Sequence, residues 1–157
     1  MKNNYLNIYN NLIKLTRNKN LYIKLNNEDI FSDRLIFLFF HLSFLLNIYK
    51  NDQSKKYMQN LFDFVIRQLE LSIREIGYGD VSVNKKMKEY VNLLYSIIED
   101  IEMWNSSDIR FRTNLMKKYI NTDNNINYYV DYFEKYRHFL LNNTLNSFTK
   151  DIISFKF

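Results

Sequence analysis

A chain of 157 residues suits one domain with a buried core, and its make-up of 46% hydrophobic, 25% charged and 17% aromatic residues excludes a disordered chain. The absence of cysteine excludes a disulfide framework, a thiolate nucleophile and a cysteine-held metal or cluster. The net charge of +5 and the pI near 9.2 favour acidic partners such as anionic lipid, ribosomal RNA or an acidic protein face, without choosing among them.

With no proline anywhere and no sustained strand-like alternation, helix is the expected state throughout. The fold class is all-α: a single domain over 1–157 with about six or seven helices in an antiparallel, bundle-like core. The first helix, roughly Tyr5 to Thr16, sets Tyr5, Ile8, Tyr9, Leu12 and Leu15 at helical spacing. Residues 1–27 contain no acidic group, as in a transit peptide, but the stretch is poor in Ser and Arg and reads as part of the domain. Asn18 to Glu28 reads as a polar connection.

A second helix begins near Ser32 or Asp33, either of which can cap it, and runs to about Tyr49. Its stretch Leu35 to Leu46 falls short of the ~20 apolar residues of a membrane span and contains His41, so a central core helix is expected. Asn51 or Asp52 caps a third helix bearing Tyr57, Leu61, Phe62, Val65, Leu69, Ile73 and Ile76 on one side. It stops at Gly77. A fourth helix, about Ser82 to Trp104, carries the seam Met87, Val91, Leu94, Ile98 and Ile101. A break at Asn105 to Asp108 precedes helices over Ile109–Ile120 and Ile126–Leu141, and the tail to Phe157 is weakly patterned.

Both glycines of the chain fall in Gly77-Tyr78-Gly79, directly after the third helix. Gly77 can end that helix in the left-handed region and Gly79 can turn the chain again, while Asp80 or Ser82 caps the next helix. Tyr78, held between two backbone turns, is the first candidate contact residue, unless its ring folds back over the corner. Arg74 either meets a partner or bonds the loop carbonyls, and Glu75 either meets a partner or pairs with Lys85 or Lys86. Lys85, Lys86 and Lys88 sit in first turns where the helix dipole disfavours cations, which hints at an acidic partner, although the cost is only ~0.3–1 kcal/mol per charge.

The run from Ser72 to Lys88, with its Arg74-Glu75-x-Gly77-x-Gly79-Asp80 core and basic successor, resembles the signature of the ubiquinol-cytochrome c chaperone family. Leu61-Phe62-Asp63 is similar to the Phe-Asp that precedes that signature, and Glu70 takes an acidic position. Asp29, Arg34 and His41 keep the family's spacing, and Tyr9, Arg17 and Tyr22 resemble its first helix and following turn. Leu141-Asn142-Asn143 is similar to a short Arg-Asn segment, with Asn142 in place of Arg. The family's Pro and Gly between the first two helices are absent, Asn20 and Ser32 or Asp33 standing near their places.

The resemblance implies an assembly chaperone that binds newly made cytochrome b, the membrane-embedded haem subunit of respiratory complex III. It implies no enzyme and no cofactor, with Arg74, Glu75, Gly77, Tyr78, Gly79, Asp80, Lys85, Lys86 and Lys88 as the partner-binding residues. Asp29, Arg34, His41, Phe62 and Asp63 are then structural or family-motif residues. The ribosome, a second assembly factor and an anionic membrane surface are further candidate partners, and DNA is not one. A bacterial cytoplasmic location at the inner membrane is expected, or the matrix side of that membrane in a mitochondrion.

Other chemistry finds little support. His41 in an apolar run reads as a core residue bonded to Asp63 or Tyr9 rather than a haem ligand, and His138 as solvated. Two distant histidines without a ligand spacing give no metal site, and two clustered glycines build no nucleotide loop or nucleophile elbow. Glu99, Asp100 and Glu102 read as a solvated helix face. The main alternative function is a basic helical RNA- or ribosome-binding module; a haem-handling protein using His41 is a third.

Overall fold

The computed structural model describes residues 2–26, 30–51 and 53–150. Among these are eight helices and no strand: α1 (Lys2–Thr16), α2 (Asn20–Ile23), α3 (Phe31–Tyr49), α4 (Lys55–Glu75), α5 (Asp80–Glu102), α6 (Ile109–Tyr119), α7 (Ile126–Leu141) and α8 (Leu145–Phe148). The all-α, multi-helix architecture is therefore as the sequence predicts. Asp29, Asp52 and the last residues of the tail lie outside the described residues.

A helix that is apolar on every face needs neighbours on every side, and α3 has them in α1, α5 and α7. Leu35 and each residue from Phe37 to Leu45 are buried. By length and composition α3 could cross a membrane, but 56% of its apolar window is buried in the domain, as befits a core helix. α4 packs on α1 and α5, and α6 on α7. Within the core Phe44 stacks on Phe133 with ring centroids 5.6 Å apart and meets Trp104 edge-on at 5.1 Å.

His41 is fully buried, and neither Asp63 nor Tyr9 reaches it. Its Nδ1 lies 2.6 Å from the Phe37 carbonyl and its Nε2 2.8 Å from the Tyr132 hydroxyl. A carbonyl only accepts, so Nδ1 donates to it and Nε2 accepts from Tyr132. Burial pulls the imidazole pKa down from 6.5 to about 4, against a smaller upward pull from the Phe37 carbonyl. Tyr136 donates to the His41 carbonyl at 2.9 Å, so α3 and α7 are joined by a satisfied polar pair inside the core.

Several predicted boundaries move. The stretch read as a polar connection contains α2, whose Leu21 is fully buried and whose carbonyl accepts from Tyr129 at 2.7 Å. α3 starts at Phe31 with Ile30 in the cap position, so neither Ser32 nor Asp33 caps it. Before α4, Asn51 Oδ1 accepts from the Ser54 N–H at 2.8 Å, with Ser54 in the cap position. On α5 Ile97 is fully buried in the seam, and Val91 and Ile98 are only partly covered. The helix ends at Glu102, ahead of Trp104.

Trp104 nonetheless fixes the break, donating from Nε1 to Glu134 at 2.6 Å beneath the Arg112 guanidinium. Arg112 also donates to the Trp104 carbonyl at 2.9 Å and pairs with Glu134 at 3.3 Å. Asp108, at the end of the predicted break, caps α6 through the Phe111 N–H. The weakly patterned tail gives α8, whose Phe148 is buried and whose carbonyl accepts from Asn11 at 2.6 Å.

Candidate docking face at the α4–α5 corner

The corner turns because Gly77 adopts φ +103°, where a side chain is rarely tolerated and glycine is free. Its N–H bonds the Arg74 carbonyl at 3.0 Å and closes α4. Gly79 does not turn the chain again: at φ −69°, ψ 161° it is extended and forms the N-cap of α5 itself. Asp80 and Ser82 are consequently not caps. Asp80 lies in the first turn, where a carboxylate suits the positive end of the helix dipole.

Arg74 turns away from the loop carbonyls. Its guanidinium donates to Asp80 across the corner and to Glu70 one turn back at 3.0 Å. The bond to Asp80, then that to Glu70, holds the Arg74 proton more firmly than usual. Glu75 makes no ion pair with Lys85 or Lys86 among the described residues; Lys86 instead places its Nζ 4.7 Å over the Tyr78 ring. Tyr78 is thus covered on one face and, at 44% exposure, open on the rest. Lys85 and Lys88 are exposed.

Every residue from Arg74 to Ser82 is exposed. Two of them escaped the sequence reading: Val81 is 85% exposed and Ile76 61%. Ile76 follows Ile73 at helical spacing and so joined the predicted buried stripe, but α4 ends one residue before it. Val81 stands off the α5 seam, which is the sequence signal for it. Ile76, Tyr78 and Val81 form an apolar crest at the corner, flanked by Lys85, Lys86 and Lys88.

The remaining family-motif positions stand apart from this crest. Phe62 and Asp63 lie about four turns back along α4, Phe62 stacking on Tyr95 at 5.4 Å and Asp63 accepting from Gln59 at 3.0 Å. His41 is in the core, Arg34 opens α3 at the domain surface, and Asp29 is outside the described residues. His138 is exposed and faces Glu134 at 3.3 Å. Of the face read as solvated, Asp100 instead takes Lys118 at 2.9 Å and the Tyr119 hydroxyl, and Glu102 pairs with Lys50 at 2.9 Å. No cluster of three or more His, Asp or Glu suited to a metal exists among the described residues.

The family model described as Ubiquinol-cytochrome C chaperone matches residues 24–141, from the end of α2 through α7, with the corner inside it. The likeness at Tyr9, Arg17 and Tyr22, and at Asn142 and Asn143, falls outside that span. No curated protein and no solved structure matches the chain. With most of its length matched and its distinguishing run at the helix corner, this chain belongs to the ubiquinol-cytochrome c chaperone family.

Proposed function

We propose that this protein is an assembly chaperone that holds newly made cytochrome b during biogenesis of complex III, docking it on the α4–α5 corner. The exposed crest of Ile76, Tyr78 and Val81 carries the reading. A domain with so large a core leaves three apolar side chains exposed to water at one turn, and such groups grip an apolar client. Cytochrome b, made for the bilayer, offers apolar helices, and the lysines beside the crest suit the acidic lipid or protein groups around them. On this reading the work is holding rather than bond chemistry, done at the surface of the membrane that receives the client: the cytoplasmic side of a bacterial inner membrane, or the matrix side in a mitochondrion.

The test is capture of cytochrome b from detergent extract by the tagged chain. A Tyr78→Ala, Val81→Ser variant changes only exposed side chains, so its helical circular dichroism should match wild type while recovered cytochrome b falls at least about fivefold, as loss of two contact residues implies. Equal recovery by the two proteins would remove the corner as the docking face.

A further inference from the structure

A groove of about 870 Å³ lies along α1, the α2 turn, the start of α3 and the second half of α4. Ile13, Leu38 and Leu69 give it an apolar floor, and Lys14, Arg17, Lys19 and Arg34 line it with positive charge; among the described residues no carboxylate lines it. The α1 and α2 side is biased the same way, because residues 1–27 carry five basic groups and no acidic one, while Asp33 lies in the first turn of α3. Beside the groove, Ile23 is 74% exposed and Ile30 48%, and Phe31 at its edge is exposed too.

Cations and protruding aliphatic side chains together select among anions. RNA would use the charges but has no need of two exposed isoleucines, and would need free rings for its bases. All three groove rings are already engaged by the protein: Tyr22 meets Phe37 edge-on at 5.3 Å and donates to the Thr16 carbonyl, Tyr9 meets Phe64 edge-on at 6.2 Å, and Phe31 leans on Tyr90 at 6.2 Å. A bilayer surface uses both features at once, phosphates meeting the cations and acyl chains receiving the aliphatic groups.

We propose that this groove seats the phosphate headgroup of an anionic membrane phospholipid, with Arg17 and Lys19 on the phosphate and Ile23, Ile30 and Phe31 entering the acyl boundary. The inference rests on the membrane-side placement proposed above and not on the identity of the client. It also gives the corner an address. Ser72 lines the groove on α4, and Ile76 lies one helical turn further on, about 6 Å along the axis. A protein seated by the groove holds its crest beside the bilayer.

Co-sedimentation of the full chain with vesicles tests this. Binding to equimolar phosphatidylcholine and phosphatidylglycerol is expected, and at least about tenfold weaker binding to phosphatidylcholine alone. An Arg17→Gln, Lys19→Gln variant should lose roughly ten- to thirtyfold in affinity. Arg110→Gln, Lys117→Gln, two exposed cations of α6 that do not line the groove, should stay within about twofold, and Ile23→Ser, Ile30→Ser should abolish the binding that survives high salt; circular dichroism should be unchanged in all three. Equal losses in the two charge variants would overturn the site, leaving only general attraction to net charge. Displacement by polyuridylic RNA, with no effect of the isoleucine variant, would overturn it in favour of a nucleic-acid phosphate site. Capture of cytochrome b without vesicle binding sinks the groove alone, and vesicle binding without capture sinks the client reading alone.

Discussion

Gly77 and Gly79 look alike in the sequence and do different work. At φ +103° a Cβ at Gly77 strains the backbone although no atom lies within 4 Å of it, so Gly77→Ala should cost about 1–2 kcal/mol. Gly79 is extended and equally open. Alanine there loses a favourable cap but narrows the unfolded ensemble, and Gly79→Ala should stay within about 0.5 kcal/mol of wild type. Urea midpoints of the two variants check the asymmetry, and equal losses would contradict it. A glycine following a long amphipathic run is a readable stop, which is why Gly77 was legible. Whether the next glycine bends or extends depends on where α5 starts, and the bond of Arg74 to Asp80 accompanies that start without setting it. Exposed ion pairs contribute little, so the shape of the corner comes from Gly77 and the packing of α4 on α5.

At the scale of elements, spacing located six of the helices because each buries a stripe: Leu61, Val65, Leu69 and Ile73 on α4, and Val83, Met87, Leu94 and Ile101 on α5. α2 and α8 span four residues each and bury chiefly Leu21 and Phe148, too little to leave a period. The joint between α5, α6 and α7 was also hidden, since Glu134 lies 30 positions from the Trp104 it accepts from. Glu134→Ala strips the acceptor from a buried indole N–H and the partner from Arg112, and should cost ~2–3 kcal/mol, whereas Glu134→Gln keeps an acceptor and should cost about half as much. Guanidinium unfolding followed by fluorescence of Trp104, the one tryptophan in the chain, reads both. The groove was legible only as an acid-free run of sequence, because its other wall comes from α3 and α4.

For the whole molecule, the buried imidazole sets how stability depends on acid. Unfolded, His41 takes its proton near pH 6.5; folded, it resists until about 4. Between those values the unfolded chain binds more protons than the folded one, so stability must fall as pH drops through the window and level off below it. The slope approaches about 1.4 kcal/mol per pH unit, and the full loss is about 3 kcal/mol. Part of the carboxylate titration overlaps the lower half, so pH 6.5 to 5 is the clean interval. There His41→Leu should flatten the curve: it costs stability at pH 7 by removing the buried His41–Tyr132 hydrogen bond, yet it loses less than wild type on acidification. Denaturant unfolding at stepped pH measures both slopes. Parallel curves would mean that the imidazole is charged in the folded protein, and the Phe37–His41–Tyr132 arrangement would then need a second proton donor rather than an acceptor at Nε2.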